Sequence, residues 1–506
     1  MISGSTSEPT VAAAGSPQSV EPNIASHGKA YWVRGKHEER SVDKPDPKTS
    51  RIVSGSRRRH SWQAYLNGTK PLRVKWQYAV VILAALTGMA VGTSYIQVHA
   101  LSSVGDTTYV SGGSGCPIPT GWTSLPTPNP SAEAAGGMAY DYLDGYVIYF
   151  GGYTGSGYIA NTWEYSGGCW LSLGPLAGPD PRSEFGMVWD GADNYVLLFG
   201  GADDGLHQCN SANSKYFYMC GDTWDFVAGA WHIICNNNDS GVGGSACGVT
   251  PPNMNSPMMA YDPVNADCNG HGVAGATNGC VFLFGGLYCI SSCGAVGEVD
   301  GDSSTLWEFF GGTWYKSTLT GPPARDFGQM TYDSNDAYVL LYGGEVTACT
   351  SGSCTYTTNT GCVKDSAMSV FCDDAWSLSG QAWTAQCQGV ADEKGNTVGA
   401  CLMPGRVGNA MAYDGFQKYV VDYGGFDGKT GAAGYDTDSF GYCYGAYKWV
   451  AAGGGGGDWQ AISNPGASIT RYGASMVYDP GSQDSYIIVF GGVNNAAYYN
   501  TMYGYK

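Results

Sequence analysis

Residues 195–201 read YVLLFGG, and five further stretches repeat the pattern. YVIYFGG ends at Gly152, CVFLFGG at Gly286, YVLLYGG at Gly344, YVVDYGG at Gly425 and YIIVFGG at Gly492. Each is a run of β-branched and aromatic residues halted by two glycines. Such a run suits a strand buried on both faces, and the glycines suit a turn with positive φ or a close backbone approach. Six such strands imply six repeated units.

The surrounding residues fall into the same step. Upstream of each run stands an aromatic-Asp pair: Tyr140-Asp141, Trp189-Asp190, Tyr261-Asp262, Tyr332-Asp333, Tyr413-Asp414 and Tyr478-Asp479. An Asp at a strand end bonds its own downstream backbone and starts a turn, so a first strand leads into each glycine-ended second strand. A third strand is expected around Trp163, Trp224, Trp307, Trp376, Phe440 and Met502, and a fourth around Trp170, Trp231, Trp314, Trp383 and Trp459. Four strands per unit describe a propeller blade. The sixth unit ends at Lys506 without a fourth strand, while residues 121–126, GWTSLP, supply a tryptophan strand at the other end. Pairing that strand into the last blade removes two open sheet edges and closes the ring at six.

Paired glycines, spaced tryptophans and a unit near 50 residues together resemble the kelch family over residues 120–506. The first glycines stand at 151, 200, 285, 343, 424 and 491, so the shortest unit has kelch length and the others carry insertions. The resemblance implies an all-β fold, a six-bladed kelch-type β-propeller closed by its N-terminal strand.

Composition agrees with that class and divides the chain. Gly is abundant at 77 residues, aromatics make up 13% and charged residues only 13%. This favours short strands and glycine turns over long helices. Residues 1–75 carry a net charge of +7 with no apolar periodicity, which reads as a disordered basic tail, whereas the remainder carries −25. An acidic C-terminal part offers no basic stripe to phosphates, so nucleic acid is not an expected partner. Residues 76–101 contain no Asp, Glu, Lys or Arg and are long enough to cross a bilayer; Lys70, Arg73 and Lys75 precede them. The reading is a single-pass cell-membrane anchor with the N-terminus cytoplasmic and the propeller extracellular. A cleaved signal peptide is the competing reading, since residues 98–100 read VHA. Residues 102–119 form a Ser, Gly and Pro linker. With only 12 basic residues, the exported part would limit self-repulsion in an acidic habitat.

All 17 cysteines lie in the acidic part, which points to an oxidising compartment. Nearest-neighbour pairing suggests Cys209 with Cys220, Cys235 with Cys247, Cys268 with Cys280, Cys289 with Cys293, Cys349 with Cys354, Cys362 with Cys372, and Cys387 with Cys401. Cys116, Cys169 and Cys443 remain, so at least one thiol is free or pairs with another chain.

The longest insertions fall mostly on one face of the repeats, in units two to four, where binding loops belong. Seven residues before the aromatic-Asp pairs stand Glu133, Arg182, Met254, Arg325, Arg406 and Arg471. Arg182, Arg325, Arg406 and Arg471 are therefore candidate ligand-binding residues, since guanidiniums at a channel mouth grip a carboxylate by paired hydrogen bonds. In kelch adaptors that bind acidic peptides, arginines at similar strand starts contribute to the site. The alternative is that each Arg serves a carboxylate or backbone group of a neighbouring unit.

No catalytic residue, metal or cofactor is expected. The copper site of kelch-like galactose oxidases needs two His, two Tyr and a Cys, and the exported part holds only His207, His232 and His271. Glu298, Asp300 and Asp302 are spaced as oxygen ligands but lack a full calcium loop. The expected function is a non-enzymatic binding or adhesion module for a protein or glycan at the cell surface. A carbohydrate-active enzyme and a passive envelope component that self-associates are the alternatives.

Overall fold

The computed structural model describes residues 122–124, 130–204, 218–236, 248–264, 279–292, 299–350, 353–356, 371–380, 382–387, 401–427, 440–452, 456–464, 469–481 and 485–506. Every regular element among them is a β-strand. No helix among the described residues is long and apolar enough to cross a membrane; the tail, the apolar segment 76–101 and the linker lie outside them.

Six antiparallel four-stranded sheets follow one another along the chain. The first comprises Gly137–Asp141, Tyr146–Phe150, Thr162–Ser166 and Cys169–Gly174; the second Gly186–Asp190, Tyr195–Phe199, Thr223–Val227 and Ala230–Cys235. The third contains Met258–Asp262, Cys280–Phe284, Leu306–Phe310 and Thr313–Lys316; the fourth Gln329–Asp333, Tyr338–Tyr342, Ala375–Ser379 and Ala382–Cys387. The fifth holds Ala410–Asp414, Tyr419–Tyr423, Ala446–Ala452 and Gly456–Ile462. The sixth is built from Ser475–Asp479, Tyr486–Phe490 and Met502–Tyr505, with Thr123–Ser124 beside the last strand in the register Thr123 to Gly504. The first strands lie side by side in sequence order, and Ser475–Asp479 lies beside Gly137–Asp141.

The glycine-ended strands are buried because each packs on both neighbours. Val196 and Leu198 join Ile148 and Phe150 of the first sheet, while Leu197 and Phe199 join Val281 and Leu283 of the third. Alternating side chains of a strand point to opposite faces, so one five-residue run fills two cores. Tyr486, Ile488 and Phe490 pack likewise on Val147 and Tyr149 of the first sheet. Each side chain so buried contributes roughly 1.5–3 kcal/mol.

The paired glycines have one mechanical task. The second glycine donates its N–H to the carbonyl of the residue that opens the next unit. The bonds are Gly152 to Arg182 (2.8 Å), Gly201 to Met254 (2.9 Å), Gly286 to Arg325 (3.0 Å), Gly344 to Arg406 (2.9 Å), Gly425 to Arg471 (2.6 Å) and Gly492 to Glu133 (2.8 Å). The first glycine makes the approach possible. At Gly200, φ is +71° and a Cβ would stand 2.7 Å from the Met254 carbonyl oxygen. No side chain fits there.

Two features differ from the sequence reading. In the fifth unit the third strand is Ala446–Ala452, not the segment at Phe440, which is 45% exposed. Trp449 within it packs on Trp459 at 5.2 Å, so the alternating run AYKWV supplies the buried face that the glycine-flanked Phe440 segment lacks. Second, the insertions of units three and four build a further sheet in the order Met254–Asn255, Leu287–Ser291, Val299–Asp302, Thr347–Thr350, Ser353–Tyr356.

Candidate functional site

The first strands of all six sheets line a cavity of about 980 Å³. One end is an aromatic rim made by the aromatic-Asp pairs, whose rings Tyr140, Trp189, Tyr261, Tyr332, Tyr413 and Tyr478 all line the cavity. Each buried Asp holds its turn closed: Asp190 Oδ1 accepts the N–H groups of Ala192 (3.0 Å) and Asp193 (3.3 Å), and Asp333 and Asp414 act alike. The turn is thereby fixed at the strand end, and the ring beside it is fixed with it.

Rings reach the turn of the preceding unit where small residues leave room. A Cβ on Gly191 would stand 2.7 Å from Tyr261, one on Gly415 2.8 Å from Tyr478, and one on Gly481 2.5 Å from the Tyr140 hydroxyl. Tyr142 extends the rim; it is 59% exposed, 4.8 Å from Tyr140 and 5.9 Å from Trp189. Burial, reinforced by the carboxylate of the preceding unit, pushes the phenols of Tyr140, Tyr261 and Tyr332 up to about 12. They stay protonated donors at any ordinary pH. Polar groups interleave with the rings at Thr331, Ser334 and Asn335, and Lys418 is the charged residue among those lining the cavity.

The other end of the first strands carries a chain of left-handed residues two positions after the opening residue of each unit. Ala135, Glu184, Ser256, Phe327, Gly408 and Gly473 have φ between 53° and 64°. The N–H of Glu184 donates to Ala135 (2.9 Å), Ser256 to Glu184 (2.7 Å), Ala135 to Gly473 (2.7 Å), Gly473 to Gly408 (2.8 Å) and Gly408 to Phe327 (3.0 Å). Four of the six are not glycine, so no composition signal marks them in the sequence. Left-handed non-glycine residues are strained, and these are held by the bonds they exchange.

The four arginines lie at this end, and their side chains are buried. Arg182 meets Asp222 through two bonds of 2.6 and 2.8 Å and the Gly200 carbonyl at 3.0 Å. Arg325 repeats the arrangement on Asp374 at 2.6 and 2.9 Å and on the Gly343 carbonyl. Burial opposes both charges of the first pair, but their mutual attraction outweighs it, leaving Arg182 raised and Asp222 lowered. Arg406 donates to the Gly424 and Pro404 carbonyls and lies 5.0 Å from the Tyr447 ring. Arg471 donates to the Thr470 carbonyl and Thr501 Oγ1 and lies 3.4 Å from the Tyr499 ring centre. Arg182 and Arg325 thus tie the start of a unit to its own third strand. Glu133 takes the same place in the first unit; burial pushes its carboxyl up to about 8 against bonds from Ser131 and Tyr149.

Cys387 and Cys401 form a disulfide, tying the outer strand of the fourth sheet to the entry of the fifth unit. Cys169, Cys220, Cys235, Cys280, Cys289 and Cys372 are also disulfide-bonded. Cys349 and Cys354 face each other in register across adjacent strands. Cys209, Cys247, Cys268, Cys293 and Cys362 lie outside the described residues, as does Cys116, and Cys443 is buried and takes part in no disulfide. Cys169 therefore leaves the group of unassigned cysteines.

His232 sits on an outer strand, 54% exposed and 2.9 Å from Asp225, away from the cavity, while His207 and His271 fall outside the described residues. Among the described residues no group of three or more His, Cys, Asp and Glu is arranged to hold a metal. Asp300 is buried, Asp302 binds the Thr347 N–H, and Glu298 lies outside the description. Compared with known proteins, the chain matches no family model, and no curated protein matches it.

Proposed function

We propose that the chain is a six-bladed kelch-type β-propeller, closed by Thr123–Ser124, that serves at the cell surface as a non-enzymatic binding module for a glycan or protein. The cavity with its aromatic rim carries the reading. Concave sites lined by aromatic rings and a few polar groups are where ligands bind, and tyrosine or tryptophan faces pack on the C–H faces of sugars while hydroxyls and amides take the polar edges. Support for closure comes from the bond between Gly492 and Glu133, from Ala135 bonding to Gly473, and from the packing of the sixth sheet on the first. The anchor and the extracellular placement rest on the basic residues before segment 76–101 and on the cysteine distribution.

The structure shifts the weight of this reading from the arginines to the opposite end of the first strands. Arg182 and Arg325 already hold carboxylates of the chain, so a ligand there would have to displace them. The rim asks for no such exchange.

The test is capture of glycans and native envelope components by the full chain, beside Trp189→Ala and Tyr478→Ala. Loss of a captured ligand in both variants, with melting temperatures within a few degrees of the parent, supports the rim as the site. Equal capture by parent and variants moves the site elsewhere. Turnover of a captured glycan supports the carbohydrate-active alternative, and ordered arrays of the chain alone support the envelope alternative.

A further inference from the structure

Lysine is scarce in the acidic part of the chain and unevenly placed. The four arginines there are buried, and the lysines among the described residues are Lys316, Lys418, Lys448 and Lys506. All but Lys316 share one corner of the rim end, on units five and six. Lys418 closes the turn between the first and second strands of unit five and is exposed. Lys448 Nζ stands 5.3 Å from the ring centre of Tyr419, which follows Lys418, and Lys506 Nζ stands 5.8 Å from that of Phe416.

The same corner exposes apolar surface. Phe416 in the turn is 59% exposed, and Val450, 46% exposed, lies two residues beyond Lys448 on the same side of its strand. Asp414, which opens the turn, is buried and spends its Oδ1 on the N–H groups of Phe416 and Gln417. The corresponding turns of units one, two and four instead carry Asp144, Asp193 and Asp336, each bonded to a tyrosine hydroxyl. The rim end is thus polarised, basic at units five and six and acidic around units one, two and four.

The chain also arrives at this corner. Met502–Tyr505 starts beside Arg471, which holds Thr501, and ends at the rim end. Thr123–Ser124 runs antiparallel to it, with Thr123 opposite Gly504 and Ser124 opposite Tyr503, so the polypeptide enters from the rim end. Trp122 lies 5.1 Å from the Tyr505 ring, and the Tyr505 hydroxyl meets that of Tyr419 at 3.1 Å. Upstream in sequence come the linker 102–119 and the apolar segment 76–101.

We propose that the corner formed by Phe416, Lys418, Lys448 and Lys506 rests on the anionic lipid surface of the membrane that carries segment 76–101. Residues 76–506 hold a net charge of −25, so an anionic surface repels most of the molecule and selects the side where cations gather. Lysine stems lie along apolar surface while their ammonium groups reach lipid phosphates, and a neighbouring phenyl ring enters the headgroup layer. The contact rests on the anchor reading above and not on the ligand read at the aromatic rim.

The experiment places a bimane fluorophore on Gln417→Cys, or on Asn335→Cys in the exposed turn of unit four, in the full chain reconstituted into phosphatidylcholine vesicles with or without phosphatidylglycerol. A lipid carrying a nitroxide on its headgroup quenches the label on contact. Quenching at Gln417→Cys is expected to rise several-fold with phosphatidylglycerol and to fall with added salt, while Asn335→Cys stays weakly quenched in both. Lys418→Asn, which suits the left-handed backbone at that position, and Lys448→Gln should each weaken the contact about fivefold. Equal quenching at both labels, or quenching indifferent to phosphatidylglycerol, overturns the proposal. So does a Gln417→Cys label that responds to dextran sulfate in neutral vesicles but not to phosphatidylglycerol, which assigns the corner to a soluble polyanion. A salt wash that strips the chain from neutral vesicles refutes the anchor instead, and the response to phosphatidylglycerol then still decides whether the corner binds lipid.

Discussion

At Gly200 and Gly343 a single hydrogen atom in place of a side chain decides how two units meet. A Cβ at either position would stand 2.7 Å from a carbonyl oxygen of the next unit, with φ at +71° and +76°. Gly200→Ala and Gly343→Ala should each cost about 2–4 kcal/mol, read from urea midpoints. Gly229 is also left-handed, at φ +77°, but its Cβ would meet open space, so Gly229→Ala should cost only about 1 kcal/mol. Equal losses at all three would mean that strain alone, not the inter-unit approach, accounts for the glycines.

The outer tryptophans give a second comparison at this scale. Trp231 Nε1 donates to Thr162 and Trp314 Nε1 to Thr223, each at 3.0 Å and each reaching the preceding sheet. Trp383 packs in one cluster with Leu306, which stands where those threonines do, and its Nε1 has no hydrogen-bond partner. Trp231→Phe is therefore expected to destabilise by about 1 kcal/mol more than Trp383→Phe in chemical denaturation.

At the scale of elements, the short Thr123–Ser124 strand covers the edge of Met502–Tyr505, and Trp122 Nε1 bonds the Ser463 carbonyl at 2.7 Å beside it. An uncovered edge presents unpaired N–H and C=O groups to other chains. Deleting residues 120–126 should lower the melting temperature and produce concentration-dependent aggregation in light scattering; a deletion that stays monomeric with an unchanged melting temperature would count against closure of the ring. The Cys387–Cys401 bond spans 14 residues between the fourth and fifth units. Replacing both cysteines by Ser should cost about 2–4 kcal/mol in equilibrium unfolding, mostly through the unfolded chain.

Across the whole molecule the buried carboxylates set a pH dependence. Burial raises Glu133 to about 8, Asp190 to about 7 and Asp333 to about 6, and raises Asp414 and Asp479 as well. A carboxyl that binds its proton more tightly when folded contributes stability that is complete below its unfolded value, and that contribution is lost as pH rises through the folded value. Asp222, lowered beside Arg182 despite its burial, acts in the opposite sense: its contribution is present above 3.8 and is lost as pH falls through its folded value. Stability should therefore be greatest in mildly acid solution, with the melting temperature at about pH 4.5 exceeding that at about pH 8.5 by about 5 °C or more. Scanning calorimetry across that range checks the sign. A flat or rising profile would show that these carboxyls are hydrated in the folded chain. The direction suits the acidic habitat that the sparse basic complement suggests.

The sequence by itself determined the strands and their order, because a run such as YVLLFGG carries its own β-propensity and its own stop signal, and because six copies remove the ambiguity of one. It also placed the aromatic-Asp turns, since an Asp oxygen bonds backbone only two and three residues away. The third strand of the fifth unit was not legible, because the aromatic at Phe440 and the alternation after Gly445 compete locally and only packing against Trp459 decides between them. The fate of the arginines was beyond the sequence for a stronger reason. Asp222 is 40 residues from Arg182 and Asp374 is 49 from Arg325, across insertions of unequal length. Only the fold brings these charges together in a buried site where they must pair. The tertiary structure likewise decided that the aromatic residues share one cavity mouth, because a rim assembled from six distant turns exists only once the first strands lie side by side.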